Sequence, residues 1–334
     1  MKKSFDEIVE KLKNCKSVAI SGHIDTDGDC LGSMTALYNF LLSNGKKADM
    51  FLDSIVPDNF KILPGLENLN SKEFLAKKYD LFVSVDCSTP KRLGKFAEDF
   101  LKFKNSVLID HHIKFQGEYA KTSYIEEDAS SCGEVLYKIL KNVGSIDKDC
   151  ATCLYSAILS DTNSFSNPNV SASTFRTVAD VVELGADIEK ITYFTQKVKT
   201  KTQERLISYM TRKVKIFDDV AILVMSKRKM KSLGVKSSEV SKFLQIINHI
   251  EGVKITILAK ENAYKQFKIT IRTLPKYNAV NIASLYGGGG HKNAAGCVFN
   301  GCKCKLTKEI VLASKNEIKR ADNEWFKKWN YHFK

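Results

Sequence analysis

At 334 residues, with 43% hydrophobic and 27% charged residues, the chain has the length and composition of a two-domain globular protein. No apolar run nears the roughly 20 residues that span a bilayer, and the N-terminal lysines lead into an acidic, periodic stretch in place of an apolar signal core, so the sequence argues against membrane and secreted classes. The formal net charge of +14 favours anionic partners, but only seven of the 52 basic residues are arginine, and a lysine-rich solvated surface gives the same charge.

In chain order, Ser17–Ser21, Asp80–Val85 and Ser106–Ile109 are short, nearly continuous apolar runs, as expected of parallel strands buried on both faces. Helical patterns at Leu31–Leu42 and Cys132–Asn142 fall between and after them. This order predicts an α/β domain built on a doubly wound, mainly parallel sheet over residues 1–187. A Lys-rich helical stretch, 188–213, is expected to link it to a smaller α+β domain, 214–334. There Val214–Met225, Val253–Ala259 and Phe267–Leu274 are predicted strands, the last two forming a hairpin around Glu261-Asn262-Ala263. Helices are expected near Ser237–His249 and Thr307–Arg320. An active site is expected in the cleft between the two domains. The nine cysteines, odd in number and scattered, fit reduced thiols and a cytoplasmic location.

The segment from Ser21 to Ser33, SGHIDTDGDCLGS, follows the first predicted strand and opens a helix. That places it at the carboxyl edge of the sheet, where open α/β folds bind ligands. His23 and the carboxylates Asp25, Asp27 and Asp29 stand too close to coexist without a neutralising cation. Mixed nitrogen and oxygen donors suit Mn²⁺, Fe²⁺ or Zn²⁺. A calcium loop fails because Cys30 and Ala36 occupy the required Gly and Glu positions; an acidic turn capping a helix is the plainer alternative. Asp86 ends a second apolar run and Asp110-His111-His112 a third. Three strands delivering Asp or His at their carboxyl ends exceed what helix capping explains. On an extended segment His111 and His112 are expected to point to opposite sides, so one can ligate a metal and the other is left for substrate. Asp161 follows a further apolar run.

Near the C-terminus, Tyr286–Gly296 (YGGGGHKNAAG) offers four glycines past which backbone N–H groups can approach an anion. It has neither the Gly-Lys-Ser/Thr element of a phosphate loop nor the dinucleotide fingerprint, and a flexible linker is the plainer reading. Cys150-x-x-Cys153 lacks a second thiol pair at zinc-ribbon spacing, and Cys302-x-Cys304 has the wrong separation for a zinc site. Ser130-Ser131 precedes a helix and reads as its cap, with lining of a phosphate pocket as the alternative. The tail 325–334 interleaves aromatics with lysines, which suits single-stranded nucleic acid or packing onto its own domain.

These motifs, in this order, resemble the DHH phosphoesterases, a family named for the tripeptide present here as Asp110-His111-His112. The one departure is Thr26, where the family carries a proline that shapes the loop and binds nothing. The resemblance implies a site for two divalent ions, taken as Mn²⁺. His23 and Asp27 would hold one, Asp29, His111 and Asp161 the other, and Asp86 both. It further implies that His112 contacts the scissile phosphate and that Asp110 orients a histidine ring. Gly288, Gly289, Gly290 and His291 match the Gly-Gly-Gly-His signature of the DHH-associated domain. They and Arg272 would bind substrate.

Within the family, the architecture is similar to the branch that hydrolyses very short RNA and 3′-phosphoadenosine 5′-phosphate (pAp). A stand-alone phosphodiesterase for pApA or cyclic-di-AMP shares every motif. A catalytically silent nucleic-acid-binding protein is the alternative from another class, and the complete ligand set argues against it. Oligomeric state, a homodimer included, stays open.

Overall fold

The computed structural model describes residues 2–112, 119–242, 244–248 and 250–331. The side chains of the aromatic–lysine tail and His249 fall outside the described residues. Two compact units divide the chain at Val198/Lys199, so the stretch 188–213 is shared between them.

The first unit is built on strands β1 (Ser17–Ser21), β2 (Lys47–Phe51), β3 (Leu81–Val85), β4 (Ser106–Asp110) and β5 (Thr122–Ile125). They pair in the order β2-β1-β3-β4-β5, every ladder parallel. Strand alternation sorts the side chains onto two faces. Val18, Ile20, Leu81, Val83, Val85, Val107 and Ile109 enter one apolar cluster with Leu31, Met34, Leu37, Phe40 and Leu41 of helix α1 (Gly28–Ser43). Helices α2 (Cys132–Leu140) and α3 (Lys148–Asp161) complete that layer. Ala19 and Phe82 point the other way, into an aromatic cluster with Phe51, Phe96 and Phe100. Phe82 and Phe100 meet edge-on with ring centroids 5.0 Å apart, a geometry favoured by the ring quadrupoles. With packing layers on both faces, the sheet is doubly wound, as the apolar runs predict.

The sheet order reverses direction between β1 and β3, and the crevice outside the strand ends at such a point is where this class of fold binds ligands.

The second unit carries a mixed sheet of β6 (Lys215–Phe217), β7 (Val220–Met225), β8 (Ile255–Ala263), β9 (Gln266–Thr273), β10 (Gly289–His291) and β11 (Ala294–Asn300), ordered β10-β11-β9-β8-β7-β6. Only the β7–β8 ladder is parallel. Two expectations need correction here. Val214–Met225 is not one strand but a hairpin, reversed where Asp218 takes φ +54°. The β8–β9 turn lies at Tyr264-Lys265 and not at Glu261–Ala263, with Lys265 at φ +53°. Both reversals use single non-glycine residues in the left-handed region, for which the sequence carries no glycine marker.

Candidate metal centre

The strand order sets His23, Asp86 and the Asp110–His112 segment side by side at the carboxyl ends of β1, β3 and β4. His23 Nε2 lies 3.4 Å from Asp86 Oδ2 and 3.8 Å from Asp27 Oδ1. Asp86 leaves its strand at φ +53° while its N–H donates to the Ile109 carbonyl, 3.0 Å away. A non-glycine residue held there costs of order 1–3 kcal/mol, a cost that functional sites concentrate. Asp27 does cap α1, accepting from the N–H groups of Asp29 and Cys30, both at 3.1 Å; the capping and site readings of this segment both hold. Asp29, in the first turn of α1, is buried. Its carboxylate accepts from Cys132 N at 2.7 Å and Gly133 N at 3.0 Å, at the N-terminus of α2, and from Ser33 Oγ at 3.2 Å. Asp161 ends α3. Asn167 Nδ2 donates to its carbonyl at 2.8 Å, and the turn beyond it holds Asn163, Ser164 and Phe165 in three successive left-handed conformations.

His111 and His112 do not point to opposite sides. The strand ends at Asp110, whose Oδ1 accepts from the backbone N–H groups of His111 (2.7 Å) and His112 (3.1 Å) and meets His112 Nδ1 at 2.8 Å. This side-chain turn breaks the alternation, and the two rings lie 4.6 Å apart on one side. His111 Nε2 faces three carboxylates: Asp29 Oδ2 and Asp161 Oδ2, each at 3.6 Å, and Asp86 Oδ1 at 3.7 Å.

Burial, with Asp86, Asp161 and Asp27 close by, raises the Asp29 carboxyl well above its usual range. Burial likewise lifts Asp161 and takes Asp86 up to about 6. Burial alone would depress His23; the facing Asp27 and Asp86 outweigh it and raise the imidazole to about 10. The Asp110 hydrogen bond raises His112. Acids this close cannot all ionise without a compensating cation.

Three buried atoms support that reading directly: Asp86 Oδ1, Asp110 Oδ2 and His111 Nε2 have no hydrogen-bond partner among the described residues. Potential ligand atoms gather, within 4.8 Å of one another, in three groups: Asp86, Asp110, His111 and His112; His23, Cys30 and Asp86; and Asp29, His111 and Asp161. These residues are grouped to hold a metal ion, and their donor set fits a first-row transition metal. Ligand carboxylates must shed their protons to bind it. His23, raised to about 10, and Asp86, raised to about 6, must both shed a proton to ligate, so metal affinity should rise with pH up to about 10 and fall most steeply below about pH 6. Calorimetric titration of Mn²⁺ across that range checks this; an affinity indifferent to pH there would remove these carboxylates from the site.

In the second unit, ladder register places His291 opposite Ala294, Ala294 opposite Arg272 and Arg272 opposite Thr256. Residues directly opposite share a face, so Arg272 and His291 stand on one side of the sheet with only a small alanine between them. Arg272 is half-buried and donates to the Ile271 carbonyl at 3.1 Å. Backbone packing accounts for two of the glycines. A Cβ at Gly288 would meet the Gly296 carbonyl oxygen at 2.2 Å, and one at Gly290 (φ +146°) the Ala294 carbonyl oxygen at 2.5 Å. Gly289 alone of the signature faces open space.

The sequence reading missed Ser33, the N–H pair of α2, Arg92, whose Nη2 lies 2.9 Å from His23 Nδ1, and Cys30 as a member of the site. Ser33 and the N–H pair carry no motif, and Cys30 entered only as a residue unfit for calcium. Cys150 and Cys153 are buried and belong to none of the metal-capable groups among the described residues.

The family model of the DHH family N-terminal domain matches residues 17–158, and that of the DHHA1 domain matches 218–327. The bifunctional oligoribonuclease and PAP phosphatase NrnA of Mycoplasma genitalium is 25% identical over 309 residues, 91% of this chain and 95% of its own. The probable bifunctional oligoribonuclease and PAP phosphatase NrnA of Streptococcus mutans is 23% identical, over 95% of this chain and 99% of its own. An exopolyphosphatase-related protein from Bacteroides fragilis has the same fold, with a TM-score of 0.82 at 22% identity over 96% of this chain and 98% of that one. With the tripeptide Asp110-His111-His112 at the heart of its buried acid–imidazole cluster, and a DHHA1 domain following, the chain belongs to the DHH family.

Proposed function

We propose that this chain is a metal-dependent phosphoesterase that hydrolyses very short RNA to mononucleotides and pAp to AMP. The observation that carries the proposal is the cluster of His23, Asp27, Asp29, Asp86, His111 and Asp161 around orphaned, buried ligand atoms. Two divalent ions, taken as Mn²⁺, would supply Lewis acidity at the phosphoryl group and lower the pKa of a water. His23 and Asp27 would hold one ion, Asp29, His111 and Asp161 the other. Asp86 would serve both, with its Oδ2 3.4 Å from His23 Nε2 and its Oδ1 3.7 Å from His111 Nε2. Asp110 fixes the ring of His112 through Nδ1, which leaves Nε2 to meet the phosphate and protonate the leaving oxygen. The nucleotide substrates follow from the relatives' names together with the shared motifs. The free state of all nine cysteines supports a cytoplasmic location, and no helix among the described residues is long and apolar enough to cross a membrane.

One panel tests the proposal: purified protein with and without Mn²⁺ on pAp, short RNA oligomers, pApA, cyclic-di-AMP and pyrophosphate. Metal-dependent release of mononucleotides from RNA dimers and of AMP from pAp is expected, and a chelator should abolish both. Turnover confined to pApA and cyclic-di-AMP would favour the stand-alone phosphodiesterase, and no turnover at all a binding protein.

The second unit supplies further substrate contacts. Arg272, His291 and the Gly288-Gly289-Gly290 tract bind the part of the substrate away from the reacting phosphate. Arg272→Ala and His291→Ala should therefore raise KM for dinucleotides and leave metal content intact. Each lost charge-assisted contact costs about 1.5–3 kcal/mol. Bis-p-nitrophenyl phosphate, which lacks that far part, should be much less affected. Equal losses on both substrates would leave these residues a purely structural role.

A further inference from the structure

Arg92 is half-buried, with no carboxylate in ion-pair reach of its guanidinium among the described residues, in a chain with only seven arginines. Its one side-chain partner there is His23, with Nη2 2.9 Å from Nδ1. Arginine brings five N–H donors and no acceptor, so nearly all of its capacity is unspent beside the metal centre. That placement is built. Arg92 lies in the turn Pro90–Phe96, whose Leu93 and Phe96 are buried. The Ile24 N–H donates to the Arg92 carbonyl at 2.7 Å, and the Lys95 N–H to Asp53 Oδ2 at 2.9 Å. Gly94, at φ +60°, lets the turn approach so closely that a Cβ would meet Asp53 Oδ2 at 2.4 Å.

The contact with His23 cannot be where the guanidinium rests in the working enzyme. Nδ1 of His23 also lies 2.8 Å from the Ile24 carbonyl oxygen. For Nε2 to offer its lone pair to a metal, Nδ1 must carry the proton, and the carbonyl then accepts it. An N–H of Arg92 would face that N–H, donor against donor. Only the opposite tautomer suits Arg92, and it blocks the ligating nitrogen. We propose that Arg92 is a substrate-binding residue of the first unit: once His23 ligates, its guanidinium turns from Nδ1 to grip non-bridging oxygens of the phosphate at the His23 side of the centre. A planar fork of donors matches a phosphate, and a lysine does not.

This inference rests on the phosphoesterase reading, and its test separates the two. Mn²⁺ affinity, calorimetric binding of inorganic phosphate to the Mn²⁺-loaded chain, and KM and kcat on an RNA dinucleotide are measured for wild type, Arg92→Gln and Arg92→Lys, with thermal melts as a check on folding. Arg92→Gln should bind Mn²⁺ at least as tightly as wild type, yet bind phosphate roughly ten- to a hundredfold more weakly and show a KM raised in proportion. Arg92→Lys, which keeps the charge and loses the fork, should fall between. Weakened Mn²⁺ binding with unchanged phosphate affinity would mean that Arg92 only orients His23, and would overturn the proposal, as would two variants indistinguishable from wild type. A wild type that fails to hydrolyse the dinucleotide would sink the phosphoesterase reading instead, and the phosphate calorimetry still decides the role of Arg92.

Discussion

Asp86→Ala should lose turnover almost completely and bind less metal than wild type. One Asp86 oxygen stands 3.4 Å from His23 Nε2, and the other, with no hydrogen-bond partner of its own, lies 3.7 Å from His111 Nε2 and 3.4 Å from His112 Nδ1. No other carboxylate in the cluster faces three histidines. Metal ions contribute several kcal/mol to such a reaction, and at about 1.4 kcal/mol per factor of ten the loss should reach about a thousandfold or more. A readout independent of activity comes from ligand linkage. Mn²⁺ at a hundred times its Kd stabilises a protein by about 2.7 kcal/mol, and that gain in melting temperature should be lost in Asp86→Ala. The isosteric Asp86→Asn separates metal binding from fold. Burial raises the Asp86 carboxyl from 3.8 to about 6, so its ionised form is a cost, absent below the lower value and fully present above the higher. Above pH 6 the metal-free Asn variant should therefore melt no lower than metal-free wild type, while failing to gain from Mn²⁺. Full metal occupancy and an ordinary rate in Asp86→Ala would refute a shared carboxylate.

How much of this was legible in the sequence depends on whether each feature is local. The strands holding His23, Asp86 and Asp110 are continuous apolar runs because both sheet faces are covered, and such runs can be read without knowing what covers them. The convergence of their ends follows from parallel topology. The details set by side-chain turns were not legible. Alternation along an extended chain predicts diverging histidines, but it stops where Asp110 draws the following N–H groups onto its own oxygen. Long-range partners leave no trace either: the N–H pair on Asp29 comes from a helix more than a hundred residues later. Arg92 follows Asp86 by a few positions in a stretch without periodicity, and only the docking of its turn onto the His23 loop brings it to the site. In the glycine tract the residue type was conspicuous, but two of the glycines answer to strand packing at the sheet edge.

The division of labour between the two histidines therefore rests on contacts in place of alternation, and it predicts different losses. His111 is 11% exposed and its Nε2 is ringed by Asp29, Asp86 and Asp161; His111→Ala should lose an ion from that site and its activity with it. His112 is 41% exposed, with Nδ1 spent on Asp110 at 2.8 Å. His112→Ala should keep its metal and lose about a hundred- to ten-thousandfold in rate, the range that general acid catalysis supplies. The acid role adds a test that a structural role would not move. The Asp110 hydrogen bond raises the His112 pKa, which keeps the proton on the ring to higher pH. Asp110→Asn removes that support, so the alkaline limb of the kcat/KM profile should shift to lower pH, while His112→Ala should abolish the limb. Equal metal loss in both histidine variants, or an alkaline limb that persists without His112, would assign the proton to another group.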